Sequence, residues 1–373
     1  MSLEGQHSSL QVELYPWPLS WREVKTIWAA SDWSQLFGPR ASSLKGVGEL
    51  WLNDDRPAGS AVSQGPLAGR LLAELISAAP AQVLGPRWAP LGRLPLLLKF
   101  IATADWLSVQ VHPARGPKVK FEAWHILSAR GEENLVLGLR PGLDRPAVEE
   151  ATRSGGWRQS LNFVSPRAGQ SFYVPAGLIH ALGPGLVLFE IQQNEDITFR
   201  FYDWDRLDSA GQPRQLHLTE ALAAMRPELS SSQPTRPISL ACPGGRRTYL
   251  VACRFFLLCR LDLNQPHQAE TGEELSFLTC LQGSGTILGR HQRVRLAPGS
   301  TVLLPAGLGE YRIEPEGQLS LLESSAPDLA SRVIAPLRSA GFSQEEILGL
   351  AGQQGPTELG PALATAFGTA AGR

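Results

Sequence analysis

The chain has 373 residues, 43% of them hydrophobic and 18% charged, so it is long enough for two domains and too apolar to be largely disordered. Its 34 Lys and Arg residues balance 35 Asp and Glu residues without a dense basic run, which argues against a nucleic acid or a membrane surface as partner. Its apolar runs are shorter than the ~20 residues that span a bilayer, and residues 1–9 lack the apolar core of a signal peptide. We therefore expect a cytoplasmic protein that acts on a small molecule, and the oligomeric state stays open.

The first predicted element is a helix over residues 67–79, where apolar residues recur at helical spacing up to Pro80, which closes the segment. From residue 94 the pattern changes to short runs of Val, Ile, Leu, Phe and Tyr, separated by Gly, Pro and Asn at intervals of about ten residues. Such runs are typical of an antiparallel sandwich or barrel. The predicted organisation is an N-terminal segment (1–93), a first module (94–225), a Ser- and Pro-rich linker (226–237), a second module (238–330) and a helical tail (331–373).

Two residue types are informative because of their number and spacing. The second module holds all four cysteines without Cys-x-x-Cys spacing, which favours reduced core thiols over disulfides or a thiolate metal site. Only five of the 34 basic residues are lysines, so a lysine within a motif is more informative than usual. The cysteines are Cys242, Cys253, Cys259 and Cys280, and the lysines are Lys25, Lys45, Lys99, Lys118 and Lys120.

An internal repeat relates the two modules. Residues 172–182 (FYVPAGLIHAL) match residues 302–312 (VLLPAGLGEYR), and the Pro-Ala-Gly-Leu turn is identical. Upstream, the segment that begins at Glu122 resembles the segment that begins at Glu274, and a glycine follows each. A Gly-rich hairpin followed by Pro-x-Gly-x-x-His resembles the cupin pattern. We therefore expect a mostly β protein of two cupin-like jelly-roll modules with a few helices.

Four side chains of the first module have the chemistry of metal ligands. Gln110 and His112 are alternate residues of a predicted strand, so they project from the same face. Glu122 lies on another predicted strand, and His180 follows a Pro-Ala-Gly turn that permits a close approach to an ion. Two imidazoles, a carboxylate and an amide oxygen suit a divalent ion with one position open, as in catalytic zinc sites, and ligand softness equally permits Mn, Fe or Co. Taken singly, Gln-x-His is more typical of a half-exposed edge strand, and a lone Glu is more typical of a solvated strand; the case for a metal site depends on the four residues together.

The second copy of the repeat lacks this set. Glu310 stands where the first copy has His180, and no histidine of the second module falls in a ligand-like place. We therefore expect the first module to be catalytic and to bind metal, with residues 1–93 contributing to it. The second module is expected to lack metal ligands.

A polar cluster follows on two further predicted strands. Glu190 and Gln192 share one face of the first strand, and Arg200 lies among apolar residues of the next. A buried guanidinium needs a partner, and Glu190 or Asp203 could supply one. Arg200 could instead hold a negatively charged substrate or stabilise a developing enediolate. The residues alone leave both interpretations open.

Taken together, these motifs resemble the type I mannose-6-phosphate isomerases in their short bacterial form. The resemblance covers roughly residues 20–330 and includes Gln-Val-His-Pro, Lys-x-Glu-x-Trp, Pro-Ala-Gly-x-x-His, Glu-Ile-Gln-Gln with Tyr-Asp-Trp-x-Arg, and Gly-Glu-Leu-Trp at residues 48–51. It implies a zinc enzyme that interconverts mannose 6-phosphate and fructose 6-phosphate. The implied site residues are the metal ligands Gln110, His112, Glu122 and His180, the catalytic residues Arg200, Lys120 and Glu190, and the substrate-binding residues Lys120, Arg200, Glu49 and Trp51.

The implied reaction moves one proton between C1 and C2 of the sugar and another between their oxygens, so it needs a base at carbon and groups that hold the enediolate oxygens. Arg200 would stabilise the enediolate or anchor the phosphate. Lys120 and Glu190 are both candidates for the base, and a lysine beside a divalent cation would have a lowered pKa.

Three alternatives stay open. Departures from the family pattern, such as Ala114-Arg115 after His-Pro and Leu178 before the last ligand, leave room for a different sugar phosphate. A non-catalytic sugar-binding cupin would keep the ion and the pocket. A cupin dioxygenase would need iron and a two-His, one-carboxylate set, and Gln110 as a fourth ligand argues against it.

Overall fold

The computed structural model describes residues 12–30, 33–116, 118–132, 134–207, 211–230, 233–352 and 359–367. The strands of the N-terminal part are β1 (Trp17–Pro18), β2 (Arg22–Lys25), β3 (Val47–Trp51), β4 (Leu96–Ala102), β5 (Val109–Val111), β6 (Glu122–Ala129), β7 (Leu135–Leu139), β8 (Leu161–Val164), β9 (Ser171–Val174), β10 (His180–Leu182), β11 (Leu186–Gln193) and β12 (Phe199–Tyr202). Those of the C-terminal part are β13 (Ile238–Cys242), β14 (Gly245–Ala252), β15 (Leu257–Leu263), β16 (His267–Glu270), β17 (Ser276–Gln282), β18 (Gly285–Gly289), β19 (Gln292–Leu296), β20 (Thr301–Leu304), β21 (Glu310–Pro315) and β22 (Leu319–Ser325). The α-helices are α1 (Ser34–Phe37), α2 (Leu72–Ala78), α3 (Pro80–Leu84), α4 (Arg145–Ser154), α5 (Trp157–Ser160), α6 (Leu218–Ala224), α7 (Ala335–Ser339), α8 (Gln344–Leu348) and α9 (Leu359–Phe367).

Two antiparallel sheets form the first sandwich. Their strand orders are β2-β3-β4-β11-β6-β9 and β12-β5-β10-β7-β8. Strand β4 is buried along its whole length because both of its faces are covered. Phe100 on one face joins the large core shared with the second sandwich, whereas Ile101 on the other face packs inside the first sandwich. Lys99 alternates with Phe100 and therefore places its charge on the interior face.

The second sandwich repeats the strand order of the first. Its sheets run β1-β20-β17-β22-β15-β14-β13 and β16-β21-β18-β19. The strands β4-β11-β6-β9 correspond to β15-β22-β17-β20, and β5-β10-β7-β8 correspond to β16-β21-β18-β19. His180 begins β10 and Glu310 begins β21, as the repeat predicts. The predicted fold of two jelly-roll modules is confirmed.

The predicted alignment of the upstream repeat is wrong by two residues. Glu122 pairs with Val174 immediately before the first Pro-Ala-Gly turn, and Ser276 pairs with Leu304 immediately before the second. Ser276 is therefore the equivalent of Glu122, and Glu274 lies outside the strand. The carboxylate of the first module has a hydroxyl in its place in the second.

The N-terminal segment contacts both sandwiches. Trp17 of β1 pairs with Leu303 of β20, whereas β2 and β3 extend the first sandwich beside β4. The shared core also receives Leu337, Ile347 and Leu363 from the C-terminal helices. The predicted boundaries between N-terminal segment, modules, linker and tail stay a prediction.

The helix predicted over residues 67–79 is shorter in the structure. Gly69, with φ of +84°, turns the chain before α2 begins at Leu72. Pro80 starts α3 instead of only closing α2, because proline fits the first turn of a helix. The four cysteines are free thiols, as predicted, and all but Cys242 are buried. Within the described ranges, no helix combines the length and apolar character that crossing a membrane requires.

Candidate active site

Adjacent strands bring the predicted ligands together between the two sheets of the first sandwich. In β5, Gln110 lies opposite His180 of β10 on one side and Arg200 of β12 on the other. Glu122 begins β6 in the facing sheet, and His112 follows the last residue of β5. Groups that are distant in sequence thus meet at one end of the sandwich.

A tight turn fixes the spacing of the two histidines. The amide of Gly177 donates a hydrogen bond to the carbonyl of His112 at 2.9 Å. The φ of Gly177 is +91°, and a Cβ at this position would lie 2.7 Å from the side chain of Arg226. Only glycine fits here without strain, which explains why the Pro-Ala-Gly turn has a glycine at this position.

The two imidazole rings present their Nε2 atoms to one carboxylate. Nδ1 of His112 lies 2.8 Å from the carbonyl of Ile197, and Nδ1 of His180 lies 2.8 Å from that of Leu178. Because a carbonyl only accepts, each Nδ1 carries the proton and each neutral ring has a free lone pair on Nε2. These Nε2 atoms lie 3.0 and 3.3 Å from the two oxygens of Glu122. Hydrogen bonds of this kind orient histidines that bind metals.

Burial and local charge keep these groups in the protonation states of metal ligands. Desolvation lowers the pKa of His112 to about 3 and also lowers the pKa of His180, so both rings are neutral at pH 7. Burial opposes ionisation of Glu122, but the Lys120 cation holds its pKa well below the ordinary value. Nε2 of His112 is buried without a hydrogen-bond partner, since no proton lies between it and Oε2 of Glu122 at 3.0 Å. Facing lone pairs of this kind could hold a divalent cation.

Gln110 and Lys120 complete the immediate surroundings. The Gln110 amide lies 3.2 Å from Nε2 of His180, and a half-turn of the amide exchanges its nitrogen and its oxygen, so the oxygen can face the same point. Nζ of Lys120 lies 3.1 Å from Oε2 of Glu122. In the part of the chain that the structure describes, His112, Glu122 and His180 form the one cluster of three His, Cys, Asp or Glu side chains suited to a metal ion.

A pocket of about 340 Å³ opens beside this cluster, within the size range of small-molecule sites. Every predicted catalytic and substrate-binding residue lies on its wall. The polar lining consists of Arg22, Glu49, Trp51, Lys99, Ser108, Gln110, Lys120, Glu122, Glu190, Asp196, Thr198, Arg200 and Arg214.

Lys99 lies in the pocket although it is not among the predicted site residues. Its Nζ is 3.0 Å from Glu190 and 3.3 Å from Glu49. Trp124 donates to the other oxygen of Glu190 at 3.0 Å, and Trp51 donates to Glu49 at 2.6 Å. Burial would lower the pKa of Lys99, but Glu190 and Glu49 raise it above its ordinary value, so the side chain is a fixed cation. The one feature of the sequence that draws attention to Lys99 is the small number of lysines in the chain.

Neither partner considered for Arg200 binds it. Asp203 is bound by Arg206 and Arg214, and Glu190 is bound as described above. The guanidinium of Arg200 has no ion pair or hydrogen bond with any described residue, and burial together with the nearby Arg214 lowers its pKa. Of the two interpretations left open by the sequence, the structural partner is not observed, because this half-buried side chain opens to the pocket and not to the core.

Comparison with known proteins identifies the family. The model of the phosphomannose isomerase type I catalytic domain matches residues 15–130, and that of the mannose-6-phosphate isomerase cupin domain matches residues 246–324. YvyI of Bacillus subtilis, a relative named for the same family, is 30% identical over 305 residues, which are 77% of this chain and 92% of the relative. The chain belongs to the type I mannose-6-phosphate isomerase family. The mannose-6-phosphate isomerase of Streptococcus mutans is 29% identical over 308 residues, covering 80% of this chain and 95% of that protein.

Solved structures of mannose-6-phosphate isomerases share this fold. The crystal structure of the Bacillus subtilis enzyme superposes with a TM-score of 0.73 at 27% identity, covering 83% of this chain and 99% of that one. A zinc-bound mannose 6-phosphate isomerase gives a TM-score of 0.64 at 16% identity over 82% of this chain and 98% of that one, which is a likeness of fold. The sequence-based assignment to an isomerase family of cupin fold is confirmed.

Proposed function

We propose that this family member catalyses the zinc-dependent interconversion of mannose 6-phosphate and fructose 6-phosphate through an enediolate. The observation that carries the proposal is the buried Glu122 carboxylate, which faces the Nε2 atoms of His112 and His180 beside the unpaired guanidinium of Arg200. A metal-ligand set next to a free cation suits a hydroxylated, anionic substrate. The names of the relatives support the choice of sugar phosphate.

Gln110, His112, Glu122 and His180 would hold the zinc ion. Neutral imidazoles, a carboxylate and an amide oxygen are ligands that zinc accepts, and each histidine already has its Nδ1 proton engaged. The zinc-bound relative supports this choice among divalent metals. Zinc bound here would act as a Lewis acid on the sugar oxygens at C1 and C2.

Arg200 and Arg214 would bind the anionic parts of the substrate. Both side chains line the pocket, and their mutual repulsion contributes to the lowered pKa of Arg200. A phosphate group or an enediolate oxygen would supply the missing counter-charge through strong, charge-assisted hydrogen bonds. Arg200 lies opposite Gln110 in the sheet and therefore lies beside the ligand set.

Lys120 and Glu190 are the two groups that we propose for proton transfer between C1 and C2. Burial raises the pKa of Glu190 against the effect of Lys99, which makes the carboxylate a better proton acceptor. Lys120 lies against the ligand carboxylate. Exchange of the substrate C2 proton with deuterated solvent separates them, because the variant that lacks the base, Glu190→Gln or Lys120→Met, loses exchange with zinc still bound.

A coupled assay for fructose 6-phosphate formation from mannose 6-phosphate tests the proposal. The protein is assayed as purified, after chelation and after zinc is restored, with bound zinc measured in each sample. Activity that disappears and returns with zinc supports reaction and metal together. A zinc-loaded sample that binds mannose 6-phosphate without turnover would instead indicate a sugar-phosphate-binding protein, and one that acts only on another sugar phosphate would correct the substrate.

A further inference from the structure

Two arginines and one aspartate enclose the ring of Trp51. Asp54 is fully buried, and its two oxygens bind Nη1 of Arg22 at 2.9 Å and Nη1 of Arg56 at 2.8 Å. The guanidinium carbons of Arg22 and Arg56 lie 5.0 and 4.8 Å from the centroid of the Trp51 ring, within cation–π range. We call Asp54, Arg22 and Arg56 the Trp51 clamp.

The loop that carries Asp54 is itself closed. The Asp54 amide donates to the Ser60 hydroxyl at 3.0 Å, and the Ser60 amide donates to the Asp54 carbonyl at 2.7 Å. A Cβ at Gly59 would lie 2.3 Å from that carbonyl, so the loop closes this tightly only because residue 59 has no side chain. The carboxylate therefore holds both arginines from a fixed point.

Trp51 connects the clamp to the pocket. Its Nε1 donates to Oε2 of Glu49 at 2.6 Å, and the same oxygen lies 3.3 Å from Nζ of Lys99. Lys99 Nζ also lies 5.1 Å from the Trp51 ring centroid. The orientation of the indole thus sets the orientation of Glu49. Trp51, Glu49 and Lys99 line the pocket. Arg22 of the clamp lines it too, whereas Asp54 and Arg56 do not.

We infer that Asp54 and Arg56 are positioning residues, which together with Arg22 hold Trp51 and through it Glu49 in the orientation that receives the sugar phosphate. The inference rests on the proposed function, because it assigns the pocket to that substrate. Under the proposed function Trp51 and Glu49 would contact the substrate in the ground state and in the transition state alike, so a loosened ring would weaken binding more than it slows chemistry.

The test uses variants away from the pocket wall in the zinc-loaded full chain. Asp54→Asn is expected to raise KM for mannose 6-phosphate by about ten-fold and Arg56→Gln by about three-fold, the size of effect expected from one or two cation–π contacts. The kcat per bound zinc stays within about two-fold of wild type, because neither Asp54 nor Arg56 lines the pocket. Arg56→Lys keeps a cation over the ring, so its KM is expected to lie close to the wild-type value.

Glu323→Gln is the matched control, since it removes a buried carboxylate that binds an arginine in the second sandwich. It is expected to lower stability without changing KM. If Asp54→Asn does not fold, Arg56→Gln and Arg56→Lys decide the question. An unchanged KM with lower kcat in these variants would make the clamp merely structural and overturn the inference. A wild type that neither binds nor converts mannose 6-phosphate would overturn the proposed function, and the clamp's role with it.

Discussion

The two sandwiches share a strand order but place different chemistry at equivalent positions. Cross-strand pairing aligns β3, β4 and β11 of the first with β14, β15 and β22 of the second. The aligned interior positions are Glu49, Lys99 and Glu190 in the first sandwich and Arg247, Cys259 and Glu323 in the second.

In the second sandwich the charges at these positions satisfy each other. Nη2 of Arg247 lies 3.1 Å from Oε2 of Glu323, and this carboxylate raises the pKa of Arg247. Burial raises the pKa of Cys259, so its thiol stays neutral. In the first sandwich Lys99 likewise binds Glu49 and Glu190, but close to them Nε2 of His112 and the guanidinium of Arg200 have no hydrogen-bond partner among the described residues. The difference teaches that one scaffold becomes a reactive site where its polar groups are left incomplete, and a structural module where they close on each other.

The largest difference between the two sandwiches is expected when a metal ligand of the first is removed. His112→Ala is expected to lose bound zinc and to reduce turnover at least about 100-fold, since a metal site tolerates the loss of a direct ligand poorly. Metal analysis and the coupled assay measure both effects. His267→Ala removes a buried histidine of the second sandwich, whose Nδ1 also meets a carbonyl, and is expected to keep both zinc and activity. Full activity of metal-free His112→Ala would refute the ligand assignment.

Arg200→Lys is expected to keep zinc and to lose about 100-fold in kcat, because a lysine cannot reproduce the planar, forked donors of a guanidinium. Arg247→Lys in the second sandwich is the control and is expected to leave kcat and KM unchanged. Steady-state kinetics with zinc-loaded protein compare the two. Wild-type rates for Arg200→Lys would remove Arg200 from the mechanism.

Glu323→Gln tests whether the ion pair between Arg247 and Glu323 in the second sandwich is purely structural. Breaking a buried ion pair leaves the partner charge unpaired, so we expect the free energy of unfolding to fall by about 3 kcal/mol. Urea unfolding measures this loss, and the coupled assay at a temperature where the variant is folded should show wild-type turnover. A loss of turnover larger than the loss of folded protein would mean that the second sandwich takes part in catalysis.

The smallest expected effect is a pH dependence of the metal-free protein. The pKa of His112 is about 3 in the folded chain against an ordinary value of 6.5, so between these values the unfolded chain binds more protons. The stability that this histidine contributes is therefore complete above pH 6.5 and is lost as the pH falls toward 3. Urea unfolding at pH 7 and pH 5 should show a smaller loss for His112→Asn than for wild type. Equal losses would mean that His112 is not held neutral by burial.

The site residues that could be predicted from the sequence are those whose spacing along the chain determines where their side chains lie. Alternation in a strand predicts that Gln110 and His112 share a face, and the repeated Pro-Ala-Gly turn locates His180. Lys99 could not be selected in this way, because Glu49 and Glu190 reach it across strands whose pairing register is not legible in the sequence.

Other failures have equally physical causes. The short strands β1, β2 and β3 lie in a Gly-, Pro- and Ser-containing region without clear alternation, so their pairing to both sandwiches was not predicted. The predicted alignment of Glu122 with Glu274 matched two glutamates that are each followed by a glycine at the same distance. The strand pairing does not preserve this match, because Glu122 and Ser276 are the residues opposite the ends of the two strands that precede the Pro-Ala-Gly turns.

Titration of zinc into the metal-free protein, with turnover of mannose 6-phosphate measured at each addition, tests the central claim most directly. If only the first sandwich holds metal ligands and the charges of the second bind each other, activity should rise in proportion to zinc and reach its plateau at one ion per chain. Turnover in the absence of metal, or a plateau that requires a second ion per chain, would contradict it.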